Sequence, residues 1–170
     1  LQIVSNMIKH VPELIESACD HGLCHALEKS RNLVESTVRI RDLLCEIPTI
    51  SAFCVWKLKE TTLHEILIEL LELPIWNRKA IHALSCWARF DSRFISKHLL
   101  NNSQLILDFL ISELRSTTIH PESFIDLSVM MQHCYEIGNY LYSEETLNGV
   151  IKCISSVGPY GQIQFFEFLI

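Results

Sequence analysis

With 170 residues, 20 acidic against 14 basic side chains and a formal net charge of -6, the chain lacks the Lys/Arg excess that binding a phosphate backbone requires, which argues against nucleic acid as its main partner. Five Gly and five Pro leave little room for a turn-rich all-β fold, while 49% hydrophobic residues and a mean hydropathy of +0.23 can furnish one domain with a sizeable helical core. Charged residues interrupt every apolar run well short of the ~18 residues that a bilayer span needs.

The chain opens inside an apolar-periodic segment (Leu1, Ile3, Val4, Ile8), with no basic leader, and closes on an apolar run that includes Phe165, Phe166, Leu169 and Ile170. It therefore reads as a single helical domain over 1–170, cut from a longer chain. Residues 1–10 look like the end of a helix begun upstream. Pro12 opens the next one, Leu14, Ile15 and Ala18 form its apolar side, and Gly22 breaks it in the manner of a C-cap. A short segment over 23–29 follows. Leu33, Thr37, Ile40, Leu44 and Ile47 then mark a longer helix closed by Pro48.

This order of short, short and long segments recurs. Residues 49–59, 61–73 and 75–90 form a second triplet, 92–100, 103–115 and 121–135 a third, and 137–142, 144–154 and 160–170 a fourth. Triplets starting near Val11, Thr49, Ser92 and Ile137 repeat every ~40 residues, the range of armadillo and HEAT units. The expected fold is all-α, an armadillo/HEAT-like right-handed helical solenoid of about four repeats, because a helical triplet buries its apolar stripe only against its neighbours.

Residues 61–100 are the clearest part of the pattern. Leu63, Ile66, Leu67, Leu70 and Leu71 recur at helical spacing, with Glu65, Glu69 and Glu72 on the opposite face and Pro74 behind. In the following helix Ala80, Ile81, Leu84, Trp87 and Ala88 make a wide apolar stripe, and Asp91 stands where the next helix needs an N-cap. The three acids are a solvated face rather than a catalytic set.

Seven cysteines, scattered singly over helices, point to reduced, buried thiols and to a cytosolic or nuclear setting. Cys19, His21, Cys24 and His25 form one metal-like cluster, but a structural zinc site needs a second Cys/His pair that does not follow. The expectation is buried Cys19 and Cys24 beside solvent-facing His21 and His25, with no metal and no cofactor. No phosphate-cradling Gly-rich loop, G-x-S-x-G elbow or H-E-x-x-H occurs, so the stretch reads as non-catalytic.

What remains is surface. Arg78, His82 and Arg89 fall at intervals of four and seven residues and share a helical face, and Arg39 occupies the equivalent face of the preceding long helix. Arginine can hold carboxylate or phosphate bidentately, so this strip is the candidate docking groove for an acidic or phosphorylated peptide. The other class of function is self-association through the apolar ends, giving a homodimer.

A family resemblance attaches to the same residues. A helix with Trp76 at its start and His82-Ala83-Leu84 within it, the aspartate turn at Asp91, a helix ending in Leu99-Leu100, then Ile106 to Leu110, together with Cys19-Asp20-His21-Gly22-Leu23 upstream, resemble one kinase region. It is the C-terminal armadillo-type region of the fungal septation-initiation-network protein kinases and the similar plant MAP kinase kinase kinases of the epsilon class. The resemblance implies a kinase domain elsewhere in the parent protein and a cytoplasmic location, with the spindle pole body as one site. The partners it implies are a Ras-like small GTPase or a spindle-pole scaffold in cytokinesis and mitotic-exit control.

Overall fold

The computed structural model of the chain describes residues 12–31, 38–116, 120–154, 158–159 and 162–163, without the side chains of Pro12, Arg39 and Cys153. The expected helix over 1–10 and most of the one over 160–170 lie outside the described residues. Helices account for the described structure, and no strand occurs among the described residues. In chain order they are α1 (Pro12–Asp20), α2 (Leu23–Lys29), α3 (Val38–Ile50), α4 (Ala52–Lys59) and α5 (Leu63–Glu69). A 3-10 turn (Leu70–Glu72) leads to α6 (Asn77–Asn101), α7 (Ser103–Arg115), α8 (Pro121–His133), α9 (Tyr135–Leu141) and α10 (Glu144–Ile154).

Local chemistry sets most of these boundaries. Pro12 is at the first position of α1, where its missing N–H would have no intrahelical partner anyway. Gly22 ends that helix with φ 91°, a left-handed conformation that costs glycine nothing. Ser51 opens α4 by accepting the Cys54 amide at 3.3 Å. The α5 start is served from outside, since Glu28 of α2 accepts the Thr62 amide at 2.7 Å. Two expected ends move. α3 runs through Pro48 to Ile50, where burial of Ile47 and Pro48 holds the last turn despite the backbone hydrogen bond that the proline cannot donate, and α4 accordingly begins at Ala52 rather than at 49.

α6 is two helices in one run. Asp91 has non-helical φ −147° and ψ 72°, and its carboxylate accepts the Phe94 amide at 3.3 Å, the N-cap expected of it. Lys59 of α4 reaches the same carboxylate at 2.6 Å, which fixes the bend against the preceding helix.

Helices far apart in the chain pack on one another. α1 lies against α4, α2 against α5, α3 and α8 against α6, α9 against α6, α7 against the 3-10 turn, and α10 against α7. The core runs continuously through these contacts. Leu63, Ile66, Leu67, Leu70 and Leu71 are buried on one side of it, Ala80, Ile81, Leu84, Trp87 and Ala88 on the other, as their spacing predicts. Trp87 is fully buried and stacks on Phe94 (5.7 Å, 11°), with the His64 ring edge-on to both. Trp76 is buried as well, with the Arg41 guanidinium 4.9 Å over its ring.

Candidate protein-binding face

The helices α3 and α8 both pack on α6, so polar residues 35 to 44 apart in the chain meet there. Lys79 Nζ is 2.5 Å from Asp42 Oδ1 of α3, Arg78 Nε is 2.9 Å from Glu113 Oε1 of α7, and His82 Nδ1 donates to both Asp126 oxygens of α8 at 3.0 and 3.1 Å. The Asp42–Lys79 and His82–Asp126 pairs, with Arg78, line a groove of about 480 Å³ between α3, α6 and α8, to which Glu46, His120 and Glu122 also contribute.

Arg78 and His82 therefore share one face, as their spacing predicts, and each already has a counter-charge. The acids lie deep. Glu113 is 3% exposed and Asp126 is nearly as buried, whereas the Arg78 and His82 side chains are 42% and 56% exposed. A carboxylate removed from water needs a cation or several donors beside it, so the cations here serve the acids first. Ser85 Oγ adds a 2.5 Å hydrogen bond to Asp126 Oδ1. Held by Asp126, and with the Cys86 sulfur 4.0 Å from its other nitrogen, the His82 imidazole is pushed up to about 10 and is protonated at neutral pH. A carboxylate, an imidazole and a thiol thus stand in line, with the first two committed to joining α6 to α8.

Arg89 is exposed further along the same face and makes no ion pair with the described residues. Arg39 lies on the first turn of α3, but its side chain is outside the described residues. Of the expected strip, Arg78 and His82 are brought together, and Arg89 remains open to an outside anion.

Spacing alone missed the buried acids. Their signal was nevertheless in the sequence: Glu113 interrupts the apolar stripe Ile106, Phe109, Leu110, Leu114, and Asp126 interrupts Phe124, Leu127, Met130. An acid at a core position of an amphipathic helix calls for a cation from a neighbour. Nothing local said which one, because Arg78 precedes Glu113 by 35 residues and His82 precedes Asp126 by 44.

The cysteine-histidine segment is arranged as its helical reading predicts. Cys19 and Cys24 are buried with their sulfurs 3.9 Å apart, while His21 and His25 are exposed. His21 uses Nδ1 on the Ser17 carbonyl at 2.7 Å. The Cys24 hydrogen bond pushes the Cys19 thiol up to about 12, so that it stays protonated at neutral pH. Among the described residues no group of three or more His, Cys, Asp or Glu is placed to hold a metal ion, and no helix is long and apolar enough to cross a membrane.

No protein-family model, curated protein or solved structure matches this chain.

Proposed function

We propose that the chain is a non-catalytic protein-interaction module built as an armadillo/HEAT-like helical solenoid, with the joined faces of α3, α6 and α8 as its docking surface. The observation that carries this reading is the packing of α3 and α8 against α6. In a stack of helical triplets the long helices would lie side by side in this way, giving an extended face of the kind that repeat proteins present to partners. A groove of about 480 Å³ lies on this face, and Ile125 and Phe90 are exposed on the long helices that form it. Arg89 supplies an open cation for an acidic segment, with Arg78, His82 and Arg39 as its companions. The family resemblance carries the reading further, to a regulatory region of a signalling kinase that docks a Ras-like small GTPase or a spindle-pole scaffold.

Two variants test it. Arg89→Glu and Ile125→Asp change exposed positions and should leave helicity and melting unchanged. In pull-downs with the purified chain, proteins captured by the parent should be lost with both variants. Capture of the same proteins by parent and variants would remove this face from the function. Light scattering runs in parallel: a dimer that persists in both variants would favour self-association through other surfaces.

A further inference from the structure

The ionic inventory of the molecule is uneven. Arg31 pairs with Glu65 and Glu69, Lys59 with Asp91, Arg78 with Glu113 and Lys79 with Asp42. Arg41 and Lys57 lie over aromatic rings. In a chain of net charge -6, cations left without such partners are the exception. Among the described residues Lys29, Arg89, Arg93 and Lys97 are exposed and have none, and three of these fall within nine residues on either side of the α6 bend.

Arg93 and Lys97 do more than lie near each other. They are one turn apart, hence neighbours on the helix surface, and both line a depression of about 420 Å³ between the second half of α6 and the start of α9. Ser92 and Ser96 are in the same wall, and His133 and Tyr135 stand opposite. Tyr135 is 73% exposed, a ring turned outward with nothing covering it. The one acid in the depression, Glu136, is occupied by Ser96, whose hydroxyl donates to Oε2 at 2.5 Å, and it makes no ion pair with Arg93 or Lys97.

We infer that this depression is a binding site for a phosphorylated segment of a partner protein, with Arg93 and Lys97 holding the phosphate and Tyr135 packing against the flanking residue. Two cations converging on one hollow suit a single dianion with three acceptor oxygens better than a row of separate carboxylates. The Arg fork can take two of those oxygens while the Lys ammonium acts as a point charge, and the free hydroxyl of Ser92 is within the same wall. The net negative charge of the whole chain disfavours an extended polyanion, which would meet acidic surface on either side of so local a patch. This site is separate from the groove on α3, α6 and α8, so either can fail without the other.

The test is a titration of the isotope-labelled chain, followed by amide chemical shifts, with a degenerate phosphoserine peptide pool. Four further probes are the unphosphorylated pool, a pool with Glu in place of phosphoserine, inorganic phosphate, and a short single-stranded RNA. Saturable shifts at 92–97 and 133–136 with the phosphopeptide pool alone are expected, weakened about tenfold or more by R93Q/K97Q, since each charged hydrogen bond lost is a large term. Both substitutions are exposed, and an unchanged melt of the variant confirms that binding and not folding was altered. Equal shifts with inorganic phosphate would mean an adventitious ion only, and equal shifts with the Glu pool or with RNA would mean a general anionic surface. Any of these, or no shift at all, overturns the proposal.

Discussion

Nε of Arg78 lies 2.9 Å from Oε1 of Glu113, tying the first turn of α6 to the last turn of α7, while the other Glu113 oxygen is buried without a hydrogen-bond partner. Removing the cation would leave a buried charge uncompensated. Arg78→Glu, which would set a second carboxylate against the first, should destabilise by about 3–5 kcal/mol, and Arg78→Gln by less. The double variant Arg78→Gln/Glu113→Gln should recover much of the loss. Urea denaturation of the parent, Arg78→Gln, Glu113→Gln and the double variant gives the coupling directly. If the midpoint of Arg78→Glu matches that of the parent, Glu113 is not charged and buried as described.

Two histidines should set opposite limbs of the pH-stability profile. His82 has its folded pKa raised to about 10 by Asp126, so its contribution is full below the unfolded value of ~6.5 and is lost as pH rises toward 10. Its imidazole is 56% exposed, and solvent screening holds the effect to about 1 kcal/mol. His64 is the reverse case. Burial, aided by nearby His98, lowers its pKa, so the folded state resists protonation and stability falls as pH drops below ~6.5. Thermal midpoints from about pH 5 to about pH 10 should show a maximum near neutrality, with His82→Gln flattening the alkaline limb and His64→Gln the acid limb. A His82→Gln profile that keeps the parental alkaline slope would contradict the Asp126 pairing.

Trp87 is fully buried and stacked on Phe94, whereas Trp56 is 52% exposed. Trp87→Ala should cost about 3–5 kcal/mol and largely unfold the chain. Trp56→Ala should stay within ~1 kcal/mol of the parent, so the pair separates burial from loss of an indole as such. Circular dichroism in the far and near ultraviolet reads both.

The bend of α6 rests on Asp91, which caps the Phe94 amide and accepts Lys59 at 2.6 Å. Asp91→Ala should lower stability by about 1–2 kcal/mol, most of it from the cap. Lys59→Gln should cost less than half of that, because the ion pair is partly exposed. Equal losses from the two would show that the ion pair, and not the cap, holds the bend.

Thiol chemistry offers a check on the core. Cys86 is half-buried, whereas Cys19, Cys24, Cys45, Cys54 and Cys134 are buried, and burial pushes the Cys45 thiol up to about 12. Among these, a thiol reagent should modify Cys86 first in the native protein and the others only at the rate of unfolding. Site-resolved mass spectrometry showing early modification of Cys45 would point to a more open α3.

Much of the secondary structure was legible from the sequence because its causes are local. Apolar residues at helical spacing in 63–71 and 80–88 predicted both the helices and their buried faces, and Pro12, Gly22 and Asp91 marked ends through chemistry confined to a turn of chain. That same locality limits it. Pro48 looked like a stop, yet packing of the last turn of α3 carries the helix past it. Spacing also placed Arg78, His82 and Arg89 on one face, but could not say whether that face was bare.

Tertiary structure alone decided that, since electrostatic partners are set by distance in space. Glu113 and Asp126 come from helices 35 and 44 residues downstream and turn two apparent surface cations into anchors between helices. Arg93 and Lys97, which no motif marked out, make no ion pair with the described residues although Glu136 shares their depression. The sequence determined where helices form and which stripe of each is apolar, because a helix is written in contacts three and four residues apart. Which charges are neutralised depends on which helices pack together, and only the fold supplies that.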